Sequence, residues 1–165
     1  MTIYLVRHAR AGDRSKWAKA DQLRPLSKAG RRQAAGLFDV VVGDAGAATE
    51  SGRKARITDV LSSPYVRCVQ TVEPLSERLG LAVERADALT EGARFKDALP
   101  IVEKYADTNA VLCMHGDVLP EILEHFARRG LPLPHDRVEK GSTWALDFVD
   151  GAVTAIRYFA PPASA

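Results

Sequence analysis

The sequence predicts a three-layer α/β/α sandwich around a mostly parallel central sheet, closed by a C-terminal antiparallel hairpin. Segments of strand character alternate with segments of helical periodicity, which is the order found in parallel α/β folds. Two predicted strands, Ile3 to Val6 and Ala110 to Met114, are continuous apolar runs, as expected of strands covered on both faces. Asp150-Gly151 separates two further apolar segments and favours a two-residue hairpin turn.

One helix and one loop are predicted between the first strand and residue 54. Ser27 is a suitable N-cap for a helix that runs to about Val42, because its hydroxyl can accept a hydrogen bond from the first turn. The segment Gly43 to Lys54 is rich in glycine, alanine and small polar residues. We expect it to form a mobile surface loop.

The middle of the chain is predicted to hold two strand-helix units. The strand Ile57 to Leu61 leads through Ser62-Ser63-Pro64 into a helix with apolar residues three and four positions apart. A short strand, Leu81 to Val83, is followed by the loop Leu89 to Ala93 and by a helix from Phe95 to Ala106. Each unit brings the chain back to start another parallel strand.

The last third of the chain is predicted to complete the sheet. The strand Ala110 to Met114 precedes a helix that Asp117 can cap and that ends before Gly130. Thr143 to Val149 and Ala152 to Phe159 then form the hairpin. We expect this hairpin to add an antiparallel edge.

Length and composition exclude several classes of protein. A chain of 165 residues corresponds to about one domain. We expect residues 1–160 to form it and residues 161–165 to be a frayed tail. A net charge of +2 gives no field typical of a nucleic-acid binder. No stretch approaches the ~20 apolar residues that span a bilayer, and the N-terminus lacks a signal-peptide pattern. We therefore expect a cytoplasmic protein with no membrane partner, and its oligomeric state stays open.

Side chains suited to phosphoryl chemistry follow four predicted strands. They are Arg7 and His8, then Arg67, then Glu91, and finally His115. Because the carboxyl ends of parallel strands meet at one edge of a sheet, we expect these groups to converge there. Two guanidinium groups repel each other unless an anion lies between them, and their forks match phosphate oxygens. A neutral imidazole can attack phosphorus, and a carboxyl group can protonate the leaving oxygen.

The motifs that contain these residues resemble the histidine phosphatase superfamily, to which phosphoglycerate mutases belong. The motifs are Leu5-Val6-Arg7-His8-Ala9, Ser62-Ser63-Pro64 with Arg67 and Gln70-Thr71, Leu89-Thr90-Glu91-Gly92, and His115-Gly116. They occur in the family's order over roughly residues 3 to 120. The short chain and its Arg-His-Ala start are most similar to the small SixA-like phosphohistidine phosphatases and to the phosphatase half of actinobacterial MutT-like proteins.

The resemblance implies a metal-independent phosphatase without a cofactor. It implies that His8 becomes phosphorylated, that Arg7, Arg67 and His115 bind the phosphoryl group, and that Glu91 donates the proton. Water would then hydrolyse the phosphohistidine. The substrate would be a phosphorylated small molecule or a phosphohistidine protein. A non-catalytic module that binds a phosphorylated ligand is the alternative, and a phosphomutase is less favoured because the chain is short.

One departure from the family pattern bears on the substrate. Larger members commonly carry asparagine six residues past the nucleophile, where this sequence has Arg14. With Arg10 and Lys16 nearby, this cation indicates a more anionic, nucleotide-like substrate. We therefore add Arg10, Arg14, Lys16 and Gly116 as candidate substrate-binding residues. A zinc site is disfavoured, because the two arginines beside the histidines would repel the cation.

Overall fold

A computed structural model describes residues 1–47 and 55–164 of the chain. Its strands are β1 (Thr2–Arg7), β2 (Asp59–Ser62), β3 (Val83–Arg85), β4 (Ala110–Met114), β5 (Thr143–Val149) and β6 (Ala152–Phe159). They form one sheet in the order β3-β2-β4-β1-β5-β6. β1 to β4 run parallel to one another, and the β5-β6 hairpin joins β1 antiparallel. The predicted fold class, with its mostly parallel sheet and closing hairpin, is confirmed.

Four helices cover the two faces of the sheet. They are α1 (Lys28–Gly46), α2 (Val66–Leu79), α3 (Phe95–Lys104) and α4 (Val118–Ala127). Ile3 and Leu5 of β1 share a buried cluster with α3 and α4. Tyr4 and Val6 share another with α1 and α2. Since alternate side chains of a strand point to opposite faces, β1 is buried between two helical layers.

The first helix confirms its predicted cap but ends later than predicted. Ser27 Oγ accepts a hydrogen bond from the Gly30 N–H at 3.1 Å. The helix continues to Gly46 instead of ending near Val42, so the prediction of a loop from Gly43 is wrong for residues 43–46. Asp44 accounts for the difference, because its carboxylate accepts hydrogen bonds from Tyr4 and Arg157 across the molecule. The rest of that predicted loop, residues 48–54, lies outside the described residues.

The third strand begins two residues later than predicted, at Val83 instead of Leu81. Gly80 ends α2 in the left-handed conformation, with φ of 68°. The Leu81 N–H then donates to the Ser76 carbonyl at 2.9 Å. Leu81 therefore belongs to the C-terminal cap of the helix, where its hydrogen bond satisfies a carbonyl of the last turn.

The C-terminal residues, expected to fray, lie against α1 as far as Ser164. Arg32 donates a hydrogen bond to the Ser164 carbonyl at 3.2 Å. A Cβ on Gly36 would lie 2.6 Å from Pro162 Cβ, so the absence of a side chain at Gly36 lets the tail approach the helix. Ala165 lies outside the described residues. Among the described helices, none combines the length and the apolar character that crossing a bilayer requires.

Candidate active site

The carboxyl ends of β1, β2 and β4 form one edge of the sheet, and a cleft of about 470 Å³ opens there. Its lining residues are Arg7, His8, Ala11, Gly12, Asp13, Arg14, Arg24, Glu91, Gly116, Asp117 and Lys140. Beneath this surface lie two residues from the neighbouring strand ends, Arg67 and His115, which are 0% and 1% exposed. The strand ends therefore bring together the five candidate catalytic residues that sequence reasoning selected.

One ring nitrogen of His8 forms a hydrogen bond, and the other keeps a lone pair that can react. Nδ1 lies 2.8 Å from the Ala9 carbonyl oxygen, which can only accept a hydrogen bond, so Nδ1 carries the proton. Nε2 of the neutral ring then keeps its lone pair. Burial lowers the pKa of His8 to about 3, against the opposing hydrogen bond to Ala9, and the charges of Arg67 and Arg7 add to the decrease. His8 is therefore neutral, and so nucleophilic, at physiological pH.

His115 packs beside His8, with their ring centroids 5.3 Å apart. Its Nε2 lies 2.9 Å from Ser63 Oγ. Ser63 Oγ accepts the Tyr65 N–H at 3.3 Å, which leaves the hydroxyl proton to be donated to Nε2. When Ser63 donates to Nε2, the ring proton sits on Nδ1, which is buried and has no hydrogen-bond partner among the described residues. His115 thus presents an unused N–H donor.

The two arginines of the site also have unused donors. Arg7 Nη1 donates to the Val138 carbonyl at 2.6 Å, and Arg67 Nη1 donates to the Asp21 carbonyl at 2.9 Å. The Nε of each guanidinium is buried and has no partner within the described chain. Leaving a buried donor without a partner is costly, and an anion with several acceptor oxygens removes that cost.

Gly116 lies against the Arg7 side chain. A Cβ at this position would lie 2.5 Å from Arg7 Cζ, well inside van der Waals contact. The missing side chain therefore lets the guanidinium lie on the turn between β4 and α4. Gly116 also lines the cleft, so a larger residue there would displace the Arg7 guanidinium from the turn between β4 and α4.

Glu91 is fixed at the mouth of the cleft by its neighbours. Its Oε1 accepts a hydrogen bond from Arg14 at 3.1 Å, and its Oε2 accepts one from Arg67 at 3.3 Å. The next residue, Gly92, has a φ of 79°, and its N–H donates to Asp117 Oδ2 at 2.7 Å. The loop after β3 is therefore tied to the start of α4, which holds the Glu91 carboxylate beside the two guanidinium groups.

Residues 3–98, more than half of the chain, match the model of the histidine phosphatase superfamily, branch 1. The chain belongs to this superfamily.

One curated relative and several solved structures resemble this chain. It is 33% identical to the 8-oxo-(d)GTP phosphatase of Mycolicibacterium smegmatis, an alignment that covers 98% of this chain and 48% of the relative. The chain thus spans about half the length of that protein. The histidine phosphatase SixA bound to tungstate matches with a TM-score of 0.73 at 17% identity, over 99% of this chain and 97% of that one. SixA of Agrobacterium tumefaciens matches with a TM-score of 0.72 at 22% identity, over 97% and 98%.

The candidate substrate-binding residues lie in different parts of the structure. Arg14 lines the cleft, but it pairs with Glu91 and, at 3.6 Å, with Asp21. Arg10 lines an adjoining cavity of about 600 Å³ instead. Lys16 is exposed on a single 3-10 turn, Arg14–Lys16. Within residues 1–47 and 55–164, no group of three or more His, Cys, Asp and Glu side chains is arranged to hold a metal ion.

Sequence reasoning missed several polar residues of the candidate site, among them Asp21, Ser63 and Lys140. Asp21 pairs with Arg24 and Arg67, both at 3.0 Å. Burial alone would raise the pKa of Asp21, but hydrogen bonds from these guanidinium groups lower it. Ser63 orients His115, and Lys140 lines the cleft. Ser63 lies in the Ser62-Ser63-Pro64 motif, whereas no spacing in the sequence connects Asp21 or Lys140 to the candidate catalytic residues.

Proposed function

We propose that this protein hydrolyses phosphate esters through a covalent phosphohistidine on His8, with nucleotide-class substrates. One observation carries the proposal. Three buried nitrogens have no hydrogen-bond partner among the described residues, namely Arg7 Nε, Arg67 Nε and His115 Nδ1, and they surround an imidazole whose Nε2 lone pair is free. A phosphoryl group supplies both the acceptor oxygens for these donors and the electrophile for that lone pair.

The first chemical step transfers the phosphoryl group to the enzyme. The lone pair of His8 Nε2 forms a bond to phosphorus while the bond from phosphorus to the leaving oxygen breaks. The guanidinium groups of Arg7 and Arg67, with His115 Nδ1–H, stabilise the charge on the equatorial oxygens. Glu91 first takes up a proton from the monoprotonated phosphoryl group of the substrate or from solvent, and it passes this proton to the leaving oxygen. An incoming phosphoryl oxygen would compete with Glu91 Oε2 for the hydrogen bond that Arg67 Nη2 donates. Glu91 Oε2 would then be released to face the leaving group.

The second step returns the enzyme to its starting state. A water molecule attacks phosphorus, the bond from phosphorus to Nε2 breaks, and the proton lost by the water passes to the Glu91 carboxylate. Inorganic phosphate leaves, and His8 is again neutral with its proton on Nδ1. The hydrogen bond from Nδ1 to the Ala9 carbonyl keeps the ring in one orientation through both steps.

The substrate class is supported by the cleft and by one relative. The cleft is lined by four cations, Arg7, Arg14, Arg24 and Lys140, and by three carboxylates, Asp13, Glu91 and Asp117, and the excess of positive charge favours an anionic substrate. The M. smegmatis relative, an 8-oxo-(d)GTP phosphatase, supports a nucleotide in this role. The likeness to SixA rests on fold alone, so a phosphohistidine peptide belongs in the substrate panel as the competing outcome.

Trapping the phosphoenzyme tests the proposal. The protein is incubated with a nucleoside triphosphate labelled in its terminal phosphate and with labelled phosphohistidine peptide, and each reaction is quenched in acid and in base. We expect label on the protein that survives base and is lost in acid, as phosphohistidine requires, with the nucleotide as the better donor. A protein that binds both compounds but releases no phosphate and retains no label would be a binding module instead.

The proton-donor role of Glu91 predicts a dependence on the leaving group. Glu91→Gln keeps the shape and an acceptor for Arg14 but removes the transferable proton. We expect kcat/KM to fall about 10²-fold or more for alkyl and nucleoside phosphates, and less than about fivefold for 2,4-dinitrophenyl phosphate, whose leaving group needs no proton. Equal losses on both substrates would assign Glu91 to binding instead. Glu84→Gln, an exposed residue in β3, is the matched control.

A further inference from the structure

The cations of the cleft differ in whether a carboxylate neutralises them. Arg14 pairs with Glu91 and Asp21, and Arg24 pairs with Asp21. No carboxylate of the described residues forms an ion pair with Lys140. The charges that act on it most strongly are all positive, those of Arg7, Arg24, Arg14 and Arg10. Lys140 is thus a cation among cations, an arrangement that an additional anion would stabilise.

The position of Lys140 is fixed by the backbone of the nucleophile. The N–H of the next residue, Gly141, donates to the Arg7 carbonyl at 3.1 Å and to the His8 carbonyl at 3.0 Å. Gly141 has a φ of 84°, which a residue with a side chain rarely adopts. Gln33 Nε2 lies 3.5 Å from the Lys140 carbonyl oxygen. The turn that carries Lys140 is therefore hydrogen-bonded directly to the backbone of His8, the residue that we propose accepts the phosphoryl group.

The side chain of Lys140 is exposed, and it lines two cavities. One is the cleft that contains His8, and the other is the adjoining cavity of about 600 Å³ that Arg10, Gln33 and residues 160–164 also line. Partial desolvation, together with the surrounding arginine charges, lowers the pKa of Lys140. Among the described residues, Lys140 is the one that lines both the cleft with His8 and the adjoining cavity.

We propose that Lys140 binds a second phosphate group, adjacent to the one that His8 attacks, and so makes the enzyme selective for diphosphates and longer chains over monophosphates. The inference rests on the proposed function, since it takes His8 as the phosphoryl acceptor. The terminal phosphate occupies the inner donors of Arg7, Arg67 and His115. The next phosphate contacts Lys140, and it is the leaving group when the bond from phosphorus to the bridging oxygen breaks. The product is then the nucleotide shortened by one phosphate.

The variant Lys140→Ala removes the contact with the second phosphate and leaves the residues that carry out phosphoryl transfer unchanged. For Lys140→Ala we expect kcat/KM for a nucleoside diphosphate to fall about 10- to 100-fold, the size of one charge-assisted contact, and that for the matching monophosphate to change less than about threefold. Lys104→Ala, which removes an exposed lysine from the end of α3 that lies away from the cleft, is the control and should change neither value. Thermal melting checks that both variants fold.

A binding measurement tests, without turnover, whether Lys140 contacts a second phosphate group. Methylenebisphosphonate and methylphosphonate are titrated calorimetrically into the wild-type protein and Lys140→Ala. We expect the variant to lose about tenfold or more in affinity for the bisphosphonate and to keep its affinity for the monophosphonate. Equal affinities for the bisphosphonate in the two proteins would overturn the role of Lys140 even if His8 is phosphorylated. Absence of a phosphoenzyme, with the bisphosphonate effect intact, would instead overturn the proposed function and leave a binding site for two phosphates.

Discussion

Replacing His8 with asparagine is expected to abolish turnover, with a fall in kcat of at least about 10⁴-fold and no labelled phosphoenzyme. The asparagine amide can still donate to the Ala9 carbonyl, as Nδ1 does now, so the local structure is preserved. It offers no lone pair that can attack phosphorus, and without a covalent intermediate the site can only bind and polarise the substrate. Steady-state kinetics and base-quenched labelling measure the two effects together.

The binding of inorganic phosphate shows whether the His8→Asn site is intact. Arg7, Arg67 and His115 remain, so we expect its affinity for phosphate to stay within about threefold of the wild type. His125→Asn is the matched control, because His125 lies on α4 against Phe95 and Phe126 and lines no part of the cleft. A variant that keeps substantial activity, or a wild-type enzyme whose label resides elsewhere, would remove His8 from the mechanism.

Replacing Arg67 with lysine is expected to reduce kcat/KM by about 10²- to 10³-fold although the positive charge is kept. Arg67 is fully buried, and its guanidinium reaches the Asp21 carbonyl, the Asp21 carboxylate and Glu91 at once while Nε stays without a partner. A lysine ammonium is a point donor on a flexible stem and cannot satisfy this set and a phosphoryl oxygen together. We expect the loss to appear both in kcat and in weaker binding of phosphate.

The same change should lower stability by a smaller amount. Fewer donors would face Asp21 and Glu91, so we expect unfolding to become easier by about 1 to 3 kcal/mol, measured by denaturant titration. Arg78→Lys on the same helix is the control, since that guanidinium lies over the Phe38 ring, 3.4 Å from its centroid, at the exposed end of α2. A folded Arg67→Lys enzyme within threefold of the wild-type kcat/KM would contradict the role proposed for the Arg67 guanidinium in stabilising the phosphoryl oxygens.

The sequence best predicts the elements whose boundaries depend on their own residues. The bounds of β4, β5 and β6 are confirmed residue for residue, because apolar runs and the Asp150-Gly151 turn are contained within the elements themselves. Two of the misplaced boundaries depend on distant partners or on cap geometry. Asp44 extends α1 through contacts with Tyr4 and Arg157, and the left-handed Gly80 keeps Leu81 in the helix cap.

The candidate site was accessible to sequence reasoning for a topological reason. His8, Arg67, Glu91 and His115 each follow a strand, and the parallel connections put the carboxyl ends of those strands at one edge of the sheet. Asp21 follows no strand. It lies in a 3-10 turn, Asp21–Leu23, within the long segment after His8, and its contacts with Arg24 and Arg67 exist only in the folded chain.

By itself, the sequence determined the layered architecture, the buried strands and the set of side chains that meet at the carboxyl ends of those strands. Hydrophobic patterning and the order of the elements, on which these features depend, are properties of the linear chain. Only the tertiary structure decided which of the cations are neutralised. Arg14 and Glu91 stand 77 positions apart yet form an ion pair of 3.1 Å, whereas Lys140 lines the same cleft without a carboxylate partner in the described chain. Ion pairing depends on separations of a few ångströms, and such separations between distant residues arise only when the chain has folded.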